Sequence, residues 1–373
     1  HRDLHSFPTR RSSDLGIPSG AKVSVIARVD GEEVWKGETA VNASGNASAS
    51  FKLPSTIARG DGSIAMIIQD GGTVETATKT IPILLQTVDL SFYPEGGDLI
   101  AGLMNRVYIE GRTPSKKPAD MAGFIADAAG REVATFRTEH EGRGRFSFVP
   151  HKGESYALHL TEPAGIQATF PLPEVKESGV VISSASDVTP REKDIVVRVA
   201  ATEAGTYYVT LAQHSKELAF KSVALEANGS AEVAFTAPRT LDGVVVATVY
   251  DDQKTPLAER LLFRQPEHSL RVEVTADRAD YVPADKVSLR VATTDDTGKP
   301  IGALVGLTVT DSSVLEMIDK REQTGRLPVM VLLENEVRDL SDAHVSLDET
   351  NPKSPLATDL LLGTHGWRRS ATD

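Results

Sequence analysis

Apolar and polar residues alternate with a period of two along much of the chain. Lys22-Val23-Ser24-Val25-Ile26-Ala27-Arg28-Val29, Arg106-Val107-Tyr108-Ile109-Glu110 and Thr206-Tyr207-Tyr208-Val209-Thr210-Leu211 each show it. That is the period of a half-buried β-strand. Two β-branched runs, Ile195-Val196-Val197-Arg198-Val199 and Val244-Val245-Val246-Ala247-Thr248-Val249, are nearly continuous and suit central strands of a sandwich. Turn residues recur every ten positions or so, at Asp30-Gly31, Ser44-Gly45-Asn46, Asp70-Gly71-Gly72, Ala129-Gly130, Asn228-Gly229 and Thr297-Gly298. Short strands at this spacing predict an all-β fold of sandwiches or barrels. Helical spacing is confined to roughly 313–340.

The strands repeat. Ala43 to Pro54 is similar to Ala227 to Pro238, with Phe six and Pro nine positions after a turn Gly, and Glu141 to Pro150 is a looser copy. The device predicts a positive-φ glycine turn, then a strand anchored by Phe and ended by Pro. Phe51, Phe148 and Phe235 are each expected in the core of a separate sandwich. Their separations, 97 and 87 residues, match one immunoglobulin-like sandwich. The expected array is 16–86, 87–177, 178–267 and 268–373, the last carrying a short helical insert at about 313–340.

Composition narrows the function classes. The 373 residues include 40% hydrophobic and 25% charged, ordinary for a globular protein. A net charge of −12 argues against a nucleic-acid partner. Cysteine is absent, which excludes disulfides, thiolate metal sites and cysteine nucleophiles. No apolar run approaches the ~18 residues of a membrane-spanning helix. Residues 5–15, His-Ser-Phe-Pro-Thr-Arg-Arg-Ser-Ser-Asp-Leu, match one reading frame of a common short-read sequencing adapter. Residues 1–15 are therefore expected to take no part in the fold, and the lack of a signal peptide says nothing about export.

Three segments carry a family resemblance. Arg271 to Leu289, with Tyr281-Val282-Pro283-Ala284, and Gly298-Lys299-Pro300 to Val309-Thr310-Asp311-Ser312-Ser313-Val314-Leu315 resemble the macroglobulin-like domains of bacterial alpha-2-macroglobulin proteins. Ala284 stands where that pattern has Gly. Phe92-Tyr93-Pro94-Glu95-Gly96-Gly97-Asp98-Leu99 and Asp359-Leu360-Leu361-Leu362-Gly363-Thr364-His365-Gly366-Trp367-Arg368-Arg369 are similar to segments of large envelope proteins of the same superfamily. The resemblance implies an extracytoplasmic bacterial protein, in the periplasm or at the outer membrane, and a chain that continues past Asp373. Endopeptidase inhibition by protease trapping is one function it implies, although thioester capture needs a Cys-x-Glu-Gln element and this chain has no Cys. The other is a structural or adhesive spacer associated with a TonB-linked transport system. Partners would be proteases or other envelope proteins.

Candidate chemistry is sparse. There is no Gly-x-Ser-x-Gly elbow, no His-Glu-x-x-His and no phosphate-cradling loop, so no catalysis, cofactor or metal is expected. His140 between Glu139 and Glu141, and His151 with His159, read as solvated or turn-flanking residues rather than ligands. Arg59-Gly60-Asp61 reads as a hairpin turn rather than an adhesion tripeptide. Asn42, Asn46 and Asn228 begin Asn-x-Ser sequons at predicted turns. The pairs Asp251-Asp252 and Asp295-Asp296 lack the further acidic ligands calcium would need. Lys320, Arg321 and Arg326 could form a bait-like cleavage segment. The preferred reading of 313–340 is a structural insert, helical on both sides of Gly325–Pro328, that buries Leu327, Val329, Leu332 and Leu333 against the fourth sandwich.

Overall fold

The structure, a computed structural model, describes residues 19–365 except 55–56, 71–72, 82–84, 237–240, 267, 283, 310–326, 334–336, 338–339, 341–344 and 349. Residues 1–15 and Lys320, Arg321 and Arg326 thus lie outside the described residues. The chain divides into two compact units, His1–Phe92 with Ile109–Phe146 and Ser155–Leu172, and Tyr93–Tyr108 with Ser147–Glu154 and Pro173–Asp373. The fold is all-β.

In the first unit β1 (Lys22–Val29), β2 (Glu32–Ala40), β3 (Gly62–Asp70) and β4 (Thr73–Thr80) form an antiparallel sheet in the order β2-β1-β3-β4. Val23, Val25 and Ala27 alternate into its core beside Ile64, Met66 and Ile68, as the period of two requires. Phe51 is only partly buried. It lies outside any strand and stacks on Trp35 with ring centroids 5.4 Å apart. A seven-stranded sheet has the order β12-β11-β8-β9-β10-β7-β5, of which β8, β9, β11 and β12 lie wholly in this unit. Its strands are β5 (Asp89–Pro94), β7 (Asn105–Arg112), β8 (Ala122–Asp127), β9 (Glu132–His140), β10 (Arg143–Phe148), β11 (Tyr156–Glu162) and β12 (Thr169–Pro171). Gly142 turns the chain between β9 and β10 at φ 71°, where a Cβ would lie 2.4 Å from the Gly111 carbonyl oxygen.

The second unit contains a two-sheet sandwich. β14 (Val180–Ser184), β15 (Ile195–Ala201) and β18 (Gly229–Phe235) face β16 (Gly205–Gln213), β17 (Lys216–Leu225), β19 (Gly243–Tyr250) and β20 (Pro256–Arg264). Ile182, Val197, Val199, Val209, Leu211, Phe235, Val245 and Val249 fill the space between them. The repeat device is modified here. Asn228, not Gly229, takes the positive φ of 58°, while at Gly229, which opens β18, a Cβ would lie 2.8 Å from the Glu226 carbonyl oxygen. Phe148 is buried in this unit as well. β6 (Leu99–Ile100) pairs in parallel with β13 (Val175–Lys176).

Two helices cover the outer face of β19 and β20. In α1 (Leu327–Leu333) Val329 and Leu333 are buried, and in α2 (Ser354–Gly363) so are Leu361 and Leu362; all four join Val244, Leu261 and Phe263. Burial from both sides explains the continuous apolar run of β19. The helical insert therefore packs on the third predicted sandwich, not the fourth. Leu332 is partly buried, and Leu327 is 68% exposed rather than buried. Leu327 opens the helix and Pro328 sits in its first turn, where a missing N–H costs nothing. Over the segment predicted as the fourth sandwich, the described strands are β21 (Arg271–Ala276) and β22 (Leu289–Thr294), a two-stranded antiparallel ladder. Ala284, where the family pattern has Gly, adopts φ 72°.

Candidate functional site

The largest concentration of buried charge described in the structure lies in the second unit. Its residues come from four distant segments. Glu95 follows β5 and precedes two positive-φ glycines, Gly96 and Gly97. A Cβ on Gly96 would lie 3.2 Å from the Ile182 nitrogen, so glycine lets the backbone bring Glu95 inward. Arg106 and Tyr108 lie on β7, Arg260 on β20 and Asp359 on α2.

Arg260 is the hub. Its Nε donates to Glu95 Oε1 at 2.9 Å, and its Nη2 donates to Asp359 Oδ1 at 2.6 Å and to the Tyr108 hydroxyl at 3.0 Å. The Tyr108 hydroxyl donates to Asp359 Oδ2 at 2.9 Å. Ser184 N–H donates to Glu95 Oε1 at 3.0 Å, and Arg106 Nε stands 3.6 Å from Glu95 Oε2. The Arg260 guanidinium also lies over the Tyr108 ring, 4.9 Å from its centroid. The side chains of Glu95, Asp359 and Arg260 are 0%, 1% and 4% exposed. Two carboxylates and two guanidinium groups balance, which is what lets charge persist so deep.

Burial works against the Arg260 cation, but Tyr108, Asp359 and Glu95 outweigh it and hold the guanidinium charged. Burial pushes the Tyr108 phenol well above its ordinary range. It also pushes the Glu95 carboxyl up, against the pull of Arg260, Arg106 and the Ser184 N–H. Apart from Glu95 Oε2, which has the Arg106 charge at 3.6 Å but no hydrogen bond, the carboxylate oxygens and the Tyr108 hydroxyl bond to protein groups, so the cluster holds strand, loop and helix in one register.

The sequence-predicted candidates fall elsewhere. His159 lies on β11 and stacks on Phe124 with centroids 5.0 Å apart. His140 ends β9 and His151 is exposed. Asp30 organises the Arg59–Asp61 turn. Its carboxylate accepts backbone N–H groups from Ala58, Arg59 and Asp61 at 2.8, 3.0 and 3.0 Å. Desolvation opposes ionisation of Asp30, but these bonds outweigh it and lower its pKa. Gly60 is buried at φ 85°, so the tripeptide is a fixed turn. Asn42 Oδ1 accepts from Ser44 and Asn46 N–H, closing the turn at Gly45.

Asp251 and Asp295 are turn-formers. Asp251 Oδ1 accepts from Gln253 and Thr255 N–H, and Asp295 Oδ1 from Thr297 and Lys299 N–H. Asp127 does the same with Ala129 and Arg131. In all three hairpins the fourth residue, Gly130, Lys254 or Gly298, has positive φ. This Asp-x-x-Gly/Lys-x repeat is legible in the sequence but absent from the glycine-to-Phe repeat on which the array was predicted. Among the described residues no group of three His, Asp or Glu is placed to hold a metal ion.

No protein-family model matches the chain, and no curated protein matches it. Several solved structures are similar to it at low identity. A Salmonella alpha-2-macroglobulin reacted with methylamine matches 74% of this chain at 13% identity with a TM-score of 0.25, and the chain spans 23% of that protein. A tetra-tandem repeat from the extending region of a large adhesion protein matches over 77% of this chain and 85% of its own length, at 13% identity and a TM-score of 0.23. Domains 4–9 of the surface layer protein SbsC match over 79% and 48%, at 11% identity and a TM-score of 0.31.

Proposed function

We propose that this chain is a non-catalytic β-sandwich segment of an extracytoplasmic bacterial envelope protein of the alpha-2-macroglobulin superfamily, with a structural or spacer role. The observation that carries the reading is the Arg260 cluster. Glu95 and Asp359 belong to the two segments that resemble envelope proteins of that superfamily, and both are committed to an interior arginine. Carboxylates used this way serve cohesion, since substrate cannot reach groups that are 0% and 1% exposed. Among the described residues no helix is long and apolar enough to cross a membrane. Protease trapping is the rival. It requires cleavage at Lys320 to Arg326, and the docking of Val329 and Leu333 just downstream favours a structural insert instead.

Limited trypsin digestion with mass mapping tests the choice, alongside residual trypsin activity on a protein and on a small peptide substrate. The scaffold reading expects first cuts near 172–178 or 265–267 and equal activity on both substrates. First cuts within 320–326, followed by compaction and selective loss of activity on the protein substrate, would establish trapping instead.

A further inference from the structure

The chain enters the sandwich of the second unit through β14 and leaves it through β20, and the two run side by side in the same direction. Three contacts fix that alignment. Thr189, just past β14, forms a parallel bridge with Arg264: its N–H donates to Phe263 O at 2.8 Å, and its carbonyl accepts from Gln265 N–H at 3.0 Å. Nearer the start of both strands, Glu95 Oε1 accepts from Ser184 N–H and from Arg260 Nε, at 3.0 and 2.9 Å. Nearer still, Gly96 lies between the strands. A Cβ on it would stand 3.2 Å from the Ile182 nitrogen and 3.4 Å from the Ala258 Cβ, and its carbonyl accepts from Glu259 N–H at 3.3 Å. The partners climb together, Ile182 with Ala258, Ser184 with Arg260 and Thr189 with Arg264. Because β14 and β20 belong to different sheets, the Glu95–Gly96 segment acts as a splint that supplies the link a ladder would.

We infer that β14 with Thr189, strand β20 and the Glu95–Gly96 splint form a force-bearing clamp, which holds the sandwich shut against tension between its entry and its exit. The inference rests on the spacer role proposed above, because a spacer carries load. The direction of the strands decides the response. Tension between residues 178 and 268 pulls β14 one way and β20 the other along their common axis, so every rung is strained at once. Tension between residue 178 and the β19–β20 turn at residue 252 pulls both strands from the same end, so the rungs open one after another. The rungs themselves are shielded. Thr189 and Arg264 are buried, and the Glu95–Arg260 rung is charge-assisted with its side chains 0% and 4% exposed. Water therefore cannot replace these bonds while they carry load. The top rung is pinned from the side as well, since Arg264 Nη1 donates to Leu241 O at 3.3 Å.

Optical trapping of the whole chain tests it. The chain has no cysteine, so handles attach at chosen points through Ser178→Cys with His268→Cys, or Ser178→Cys with Asp252→Cys, all three positions being exposed. Unfolding under force follows the unfolding rate, so at equal load the sandwich should last at least about tenfold longer when held at 178 and 268 than at 178 and 252. Glu95→Gln should shorten the 178–268 lifetime by about 10- to 150-fold, the loss of one charge-assisted bond from the rate-limiting step, and the 178–252 lifetime by less than about threefold. Hydrogen exchange across 195–264 checks that the variant keeps the sandwich. If it does not, Thr189→Pro, which deletes the N–H donated to Phe263, replaces it. Equal lifetimes in the two geometries overturn the clamp. So does a variant effect of the same size in both, which marks general destabilisation. The scaffold reading fails separately, on first trypsin cuts within 320–326.

Discussion

Replacing Arg260 by Met removes the hub of the buried cluster while keeping most of its volume. Glu95 would keep one N–H bond from Ser184 and a distant Arg106, and Asp359 would keep only the Tyr108 hydroxyl among the partners described above. Removing one member of a buried ion pair costs about 3–5 kcal/mol, because the remaining charge is desolvated and uncompensated. Here two carboxylates lose the same partner, so the upper part of that range is expected. Removing all the charges at once should behave differently. Glu95→Leu, Tyr108→Phe, Arg260→Met and Asp359→Leu together leave no orphaned group at those four positions, and should restore stability to within about 1–2 kcal/mol of the wild type. Because the chain has two units, a single unfolding free energy is not well defined. Hydrogen exchange on peptides covering 256–264 and 354–363 reads the second unit directly. A loss of 3–5 kcal/mol appears as roughly 150- to 5,000-fold faster exchange in the regime where reclosing outpaces chemical exchange. If Arg260→Met changes exchange less than about threefold, or the quadruple variant is worse than the single one, the cohesive role of the cluster is refuted.

Three further outcomes follow from local geometry. Gly363→Ala should destabilise the second unit by about 2–3 kcal/mol, seen in the same α2 peptides, because a Cβ there would lie 2.3 Å from the Tyr108 ring, which its hydroxyl bonds hold in place. Lys254→Gly should raise the melting temperature, with a gain of up to about 1 kcal/mol, because Lys254 holds φ 65° at the hairpin position where Gly130 and Gly298 sit; an unchanged or lower value counts against strain there. The Arg131 backbone N–H, against a smaller opposing desolvation, holds the Asp127 carboxyl below its ordinary value of 3.8. A lowered pKa gives stability that is present above about pH 3.8 and lost as pH falls through the folded value. Asp127→Asn should therefore shift the Ala129 and Arg131 amide resonances at pH 7 and converge with the wild type near pH 2, and a difference that persists in acid would contradict this.

The strands were legible because burial on one face imposes a period of two, and β1, β7 and β16 fall where that pattern places them, while β19 falls on a continuous apolar run. Helix α1 was legible from its spacing, but not the sheet it covers. A seven-residue helix with two buried side chains carries no address for its partner. The Arg260 cluster was missed for a related reason. Glu259-Arg260-Leu261-Leu262-Phe263-Arg264 reads as an ordinary strand, and its partners lie 165 and 99 residues away. One signal was available. Asp359 is a lone charge in the run Leu356 to Leu362, where an apolar all-round helix must be buried, so its carboxylate needed an interior cation. Phe51 shows the converse. Its sequence matches that of Phe235, but no described strand carries it, so the same motif gives a side chain that is only partly buried.

The cluster also changes what kind of array this is. In a repeat protein each module buries its own face, and stability is close to a sum over modules and their neighbours. The ranges 87–177, 178–267 and 268–373 would then each close on themselves. Instead, Glu95, Arg106 and Tyr108 from the first range meet Arg260 from the second and Asp359 from the third inside one unit. Charges buried this deeply tolerate few arrangements, since a shift of even one residue along β20 would replace Arg260 by Glu259 or Leu261 and take the shared guanidinium away from both carboxylates. Apolar packing alone would accept several seats for α2, whose Leu360, Leu361 and Leu362 present similar surfaces in succession. The polar hub removes that freedom, and it does so with residues supplied by both of the segments that resemble the envelope proteins. Glu95 and Asp359, far apart in sequence, are thus tied through one arginine held between them.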